Sequence, residues 1–148
     1  MPENIRRSKY ILELGTGLSK YKQIEYESWG VAGGTDLYGA KYGGGATLLT
    51  KPFVMVEETH THDFDQFIYL IGGDPKNVTD FDAEIEMTLG EGDKLVKHSI
   101  DYAVCIYIPA GKPHCPLNIK RVGKPITYMD IVLNATGSVR PLPKASER

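Results

Sequence analysis

The chain has 148 residues with 41% hydrophobic and 24% charged side chains, the balance of an ordinary globular domain able to bury one core without staples. Seventeen basic against nineteen acidic residues leave a net charge of -2, so composition gives no electrostatic draw toward nucleic acid or an anionic membrane. No apolar h-region follows Arg6-Arg7 and no apolar run is long enough to span a bilayer, so a cytoplasmic location is expected, with Cys105 and Cys115 as free thiols.

In chain order the sequence reads as short β-rich runs cut by Gly and Pro, with no long helical period. Arg6 to Leu14 fits either a strand or a helical turn. Lys22 to Trp29 alternates roughly, with Ile24 and Tyr26 on one face. Gly30 to Gly45 reads as loop, and Gly43-Gly44-Gly45 as a mobile segment with Tyr38 and Tyr42 as pocket walls. Ala46 to Leu49 and Phe53 to Val56 are strand candidates across Lys51-Pro52. Gln66 to Ile71 is an apolar run stopped by Gly72-Gly73-Asp74-Pro75. Asp82 to Leu89 alternates, with Ala83, Ile85, Met87 and Leu89 on one side and Glu84, Glu86 and Thr88 on the other. Tyr102 to Ile108, Leu117 to Val122 and Ile126 to Leu133 complete the set. This punctuation predicts an all-β sandwich or barrel.

The four histidines are His60, His62, His98 and His114. Residues i and i+2 of a strand share a face, so His60 and His62 can aim at one point. Gln66 opens the next apolar run and can bring an amide oxygen there. His114 follows the rigid Pro109-Ala110-Gly111-Lys112-Pro113 turn. Imidazole nitrogen is a common ligand for divalent transition metals, which makes His60, His62, Gln66 and His114 the candidate metal set. His98, beside Lys97 near a charged turn, is read as a surface residue. Glu58, in phase with the pair, is open between interior and surface. Asp65 is an alternative oxygen donor, although alternation turns it away from Gln66. Cys115 is expected to point away from His114, and Cys105 to lie in the core. Asn118 reads as a turn-holding residue. Lys120 is taken as in phase with His114 and Asn118, either as a solvated lysine or as a partner for a substrate carboxylate.

Two segments, His60-Thr61-His62-Asp63-Phe64-Asp65-Gln66 through Gly73 and Pro109 through Asn118, resemble the two signature motifs of the cupin superfamily. The second is matched at Pro109, Gly111, His114 and Asn118. Gln66 stands where the family usually has Glu, Val54 where the first motif opens with Gly, and Ala103 where the second does. The resemblance covers about residues 45 to 133 and implies a double-stranded β-helix, the cupin or jelly-roll barrel. Residues 1–44 are then an N-terminal extension packing on the barrel or a partner, and 134–148 a loose tail.

The resemblance further implies one divalent transition metal ion (Fe, Ni, Zn or Mn), a small-molecule ligand and a homodimer. The expected function is a metal-dependent reaction on a small oxygen-rich metabolite, of dioxygenase or isomerase/lyase type, with the metal as Lewis acid or O2 site. Asp63, Asp65 or Tyr42 is a candidate base. The alternatives are a non-catalytic module that binds and senses a metabolite, and a metal-free cupin with a structural role. A neutral Gln in place of Glu would leave the ion with more net positive charge and make it a stronger Lewis acid.

Overall fold

The computed structural model describes residues 4–37 and 40–134; Tyr38 and the tail from residue 135 lie outside the described residues. Ten strands follow in order: β1 (Gly15–Gly17), β2 (Ser28–Leu37), β3 (Ala40–Leu49), β4 (Phe53–Met55), β5 (Asp65–Gly72), β6 (Ala83–Glu91), β7 (Lys94–Ile100), β8 (Val104–Ile108), β9 (His114–Val122) and β10 (Ile126–Asn134). They form two antiparallel sheets, one of six strands in the order β1-β2-β3-β10-β5-β8 and one of four in the order β4-β9-β6-β7. The chain is all-β, with the double-stranded β-helix that the motifs imply. Among the described residues there is no helix, so none is long and apolar enough to cross a membrane.

Alternation sets the core. On β5, Gln66, Ile68 and Leu70 are buried while Phe67, Tyr69 and Ile71 face outward, and on β6 Ala83, Ile85 and Met87 turn inward. Leu49, Leu70, Met87, Leu117, Ile119 and Ile126 meet between the sheets with almost no exposed surface. Each such side chain stabilises the fold by roughly 1.5–3 kcal/mol relative to exposure. Ile24 and Tyr21 close one end: Tyr21 packs on Phe53, and its hydroxyl oxygen accepts the Val56 N–H at 3.0 Å.

Several expectations fail here for physical reasons. Lys22 to Trp29 is not a strand; β2 starts only at Ser28, and Ile24 is buried from a turn. Gly30 to Gly45 is not a loop but most of the β2–β3 hairpin, which pairs onto β10, so residue 45 lies inside β3. The glycines permit close approach of backbones rather than mobility. A Cβ on Gly30 would collide with the Gly44 carbonyl, and one on Gly44 with the Asp130 carbonyl. Thr88 is buried because the β6–β9 register shifts between Met87 and Leu89. Strand β7, unforeseen, is a sheet edge with mostly exposed side chains, which hides its periodicity. Cys105 lies on the outward face of β8 beside Tyr107 and is exposed, not core.

Candidate metal centre

His60 and His114 face each other across a β-bridge in which each N–H donates to the other's carbonyl at 3.0 Å. That pairing puts both side chains on one side and brings the ring centroids to 4.3 Å. His62 joins them, with its ring centroid 4.6 Å from His60 and 4.9 Å from His114. Its orientation is held by Phe64, buried and stacked on the imidazole at 4.5 Å with 10° between the planes.

The turn after β8 locks the two segments together. The Lys112 N–H donates to the Pro109 carbonyl at 3.1 Å, and Gly111 has φ +82°, a type II arrangement that favours glycine. The Gly111 N–H donates to the His62 carbonyl at 2.7 Å, and the Asp65 carboxylate accepts the Ala110 N–H at 2.9 Å. Asp65 thus serves the turn and stays out of the cluster.

Hydrogen bonds also set the tautomers. The His60 Nδ1–H donates to the Glu58 carbonyl and the His114 Nδ1–H to the Lys112 carbonyl, each at 2.9 Å. Both rings therefore keep an Nε2 lone pair for a ligand. His60 Nε2 and His62 Nε2 stand 3.0 Å apart. Donors sharing one ion at about 2.1 Å are separated by about 3.0–3.4 Å, so the spacing fits a common metal. Burial, reinforced by the neighbouring His60, holds the His114 pKa below its ordinary 6.5, the Lys112 carbonyl opposing this in part, which favours the neutral, ligating form.

Gln66 lies on the inward face of β5, two residues beyond Phe64. Its Nε2–H donates to Asp130 Oδ1 at 2.9 Å, while its buried Oε1 accepts no hydrogen bond. An orphaned buried carbonyl oxygen costs about 1–3 kcal/mol. A cation is the kind of partner such an oxygen fits. Asp130, on β10, keeps some exposed surface, yet desolvation of its carboxyl pushes the pKa up to about 6, the Gln66 hydrogen bond opposing this.

Cys115 departs most from expectation. Its sulfur and the nitrogens of His60 and His114 all lie within 4.8 Å of one another, so it does not point away. The cause is a bulge: four residues of β9, His114 to Leu117, stand opposite the three from Leu89 to Met87 on β6, and Cys115 takes φ +77°. His114, Cys115 and Leu117 are then all buried. Burial pushes the Cys115 thiol up to about 12, the Leu117 backbone opposing this in part and the Asp130 charge adding to it. The same bulge flips the phase downstream. Lys120 therefore leaves the His114 face and ion-pairs with Glu86 at 3.3 Å on the surface, and Asn118 lies on that outer side too.

The remaining candidates fall outside the cluster. Glu58 is exposed and contributes only its carbonyl; Asp63 is exposed. His98 sits on β7, paired with Glu91 at 2.7 Å. Tyr42 lines a hollow of about 70 Å³ with Leu14, Trp29, Val31 and Met129, on the outward face of the large sheet. Phe64, Asp130 and the nearness of Cys115 were missed. Phe64 had a sequence signal, the shared phase of residues 62, 64 and 66; Asp130 depends on strand pairing that no local pattern reveals.

No protein-family profile matches the chain, and no curated protein does. Solved structures do. The capsular polysaccharide assembling protein CapF from Staphylococcus aureus superposes with a TM-score of 0.51 at 8% identity, over 83% of this chain and 31% of CapF. CapF with the inhibitor 3-isopropenyl-tropolone gives 0.50 at 10% identity, over 93% and 34%. KdgF from Halomonas sp. gives 0.44 at 16% identity, over 72% and 76%. The chain spans about a third of the length of CapF. At these identities the likeness is one of fold, that of the cupin jelly roll.

Proposed function

We propose that this chain, a cupin by its double-stranded β-helix, holds one divalent transition metal ion on His60, His62, His114 and Gln66 and acts with it on a small oxygen-rich metabolite. The observation that carries the reading is the convergence of three imidazoles, with two Nε2 atoms 3.0 Å apart and two Nδ1–H groups already donated to backbone carbonyls. Nitrogen-rich donors suit iron, nickel, zinc or manganese better than calcium or magnesium. A bound ion of this kind supplies Lewis acidity toward adjacent substrate oxygens and, for iron, O2 chemistry.

The chain's own groups do the rest. His60 and His62 are partly exposed while His114 is buried, so a ligand meets the cluster first at His60 and His62. Phe64 keeps the His62 ring from rotating, and the Gly111–His62 hydrogen bond holds the two ligand segments in register. Asp63, exposed and next to His62 in sequence, is the candidate base, since the Asp65 carboxylate accepts the Ala110 N–H. The Cys115 thiol, within 4.8 Å of the His60 and His114 nitrogens, would offer a soft donor to such an ion.

The test is metal content by mass spectrometry for wild type, His114→Ala and His98→Ala. Wild type and His98→Ala should carry about one equivalent and His114→Ala almost none; a full equivalent in His114→Ala with loss in His98→Ala would overturn the assignment. Iron with O2 uptake selects dioxygenase chemistry, and zinc or nickel without it selects isomerase or lyase chemistry. Tight metabolite binding without turnover selects the sensing role.

The proposal includes a cytoplasmic homodimer. The outer face of β3, β10, β5 and β8 carries Phe67 stacked on Tyr107 at 5.0 Å, with Tyr69, Met129, Ile131 and Leu133 alongside. Four strands about 4.8 Å apart and eight residues long cover roughly 500 Å² in projection, the order of what one partner of a standard interface buries. A second copy presenting the same face is the occupant proposed, and a monomeric mass by light scattering at micromolar concentration would refute it.

A further inference from the structure

The four-ligand reading leaves the largely desolvated carboxylate of Asp130 without a role. Asp130 lies opposite Ile68 on β5, and Val132 lies opposite Gln66, so Asp130 is the diagonal neighbour of Gln66 on the inward face of the large sheet. The Gln66 side chain is 6% exposed, its Nε2 is 2.9 Å from Asp130 Oδ1, and its Oε1 has no hydrogen-bond partner. The two ends of an amide are nearly alike in shape, so something must decide which of them meets Asp130 and which is left to the interior.

We propose that Asp130 is the positioning residue of the metal site: its carboxylate, an acceptor only, captures the Gln66 NH2 and thereby turns the Gln66 Oε1, the end able to ligate a cation, toward the three imidazoles. The inference rests on the metal reading above. The reverse orientation would press Oε1 against a carboxylate oxygen at 2.9 Å and leave the NH2 group facing the histidines, where it could only repel a cation. The pair therefore carries one negative charge placed just behind the ligand instead of on it. A Glu at position 66 with an Asn at position 130 would carry the same charge and the same hydrogen bond with the carboxylate moved forward by one residue. Glu at 66 with Asp130 retained would instead set two carboxylates face to face.

The experiment compares wild type, Asp130→Asn, Gln66→Glu and Gln66→Glu/Asp130→Asn by two readouts. One is affinity for Zn2+ and Ni2+ by competition with a chromophoric chelator. The other is the melting temperature of the metal-free protein in EDTA. Asn at 130 offers either end to Gln66 and removes the orientation, so Asp130→Asn should melt no lower than wild type yet bind about 10- to 100-fold more weakly, the usual effect of losing a group that orients a ligand. Gln66→Glu should lower the metal-free melting temperature, and the double variant should restore it and bind at least as tightly as wild type. A merely structural Asp130 would lower the melting temperature when replaced and would show no rescue of affinity in the double variant. A folded Asp130→Asn that binds like wild type, or a double variant that binds no better than Asp130→Asn, overturns the positioning role alone. A wild type that binds neither ion overturns the metal reading and this inference together.

Discussion

Burying Asp130 should leave a measurable slope in the pH dependence of stability. Desolvation raises its folded-state pKa to about 6 from the ordinary 3.8. The sign follows from linkage: the folded state holds the proton more tightly, so the group's favourable contribution is complete below about pH 4 and is lost as pH rises through about 6. At about 1.4 kcal/mol for each pH unit between the two values, the loss totals about 3 kcal/mol by pH 7. Asp130→Asn removes the titration and keeps the shape. The assay is urea unfolding of the metal-free protein in EDTA from pH 4 to 7.5, taking the difference between wild type and the variant at each pH. His114, whose lowered pKa makes stability fall as pH drops below 6.5, contributes equally to both chains and cancels. Asp130→Asn should gain about 3 kcal/mol on wild type across the range, most of it between pH 4 and 6. A flat difference, or one of opposite sign, would show that the carboxylate is solvated and refute the reasoning.

Other outcomes follow from the same geometry. Metal affinity should fall as pH drops, because protons compete for the imidazoles; His114 should resist until below its ordinary 6.5, which calorimetric titrations at several pH values would show. Met87→Ala, at a site with no exposed surface, should cost about 2–5 kcal/mol in urea unfolding without changing metal stoichiometry. Gly44→Ala should destabilise strongly or prevent folding, since its Cβ would meet the Asp130 carbonyl, whereas Gly92→Asn, in an open turn at φ +65°, should be tolerated; thermal melts separate the two. Cys115→Ser should retain the ion on its histidine ligands but shift its preference away from soft metals, read by competition between Zn2+ and Mn2+.

What the sequence made legible was whatever is local. Alternation over residues 82–89 and the apolar run at 66–71 marked two core strands, each with one face in the core and the other partly wet. His60 and His62 were legible because two residues apart on extended chain is a statement about direction, and His114 because its turn carries a glycine whose positive φ limits the choices. The β2–β3 hairpin was illegible for the opposite reason. Its glycines answer to a neighbouring backbone that sequence does not show, so a crowded strand reads as a loop. Position 115 was misread because period-two reasoning assumes an unbroken ladder, and one extra residue in β9 reverses the side chains that follow until the next register shift, after Ile119. Cys115 thereby comes within ligand distance while Lys120 leaves, a single backbone irregularity deciding both. Asp130 lies sixty-four positions from the residue it holds. Its neighbours Met129 and Ile131 give it the look of a strand residue on a wet face, and only the pairing of β10 with β5 turns that face inward. The candidate ligands are thus written in short motifs, as are the local groups that turn their rings, while Asp130, proposed to orient Gln66, is written in the topology.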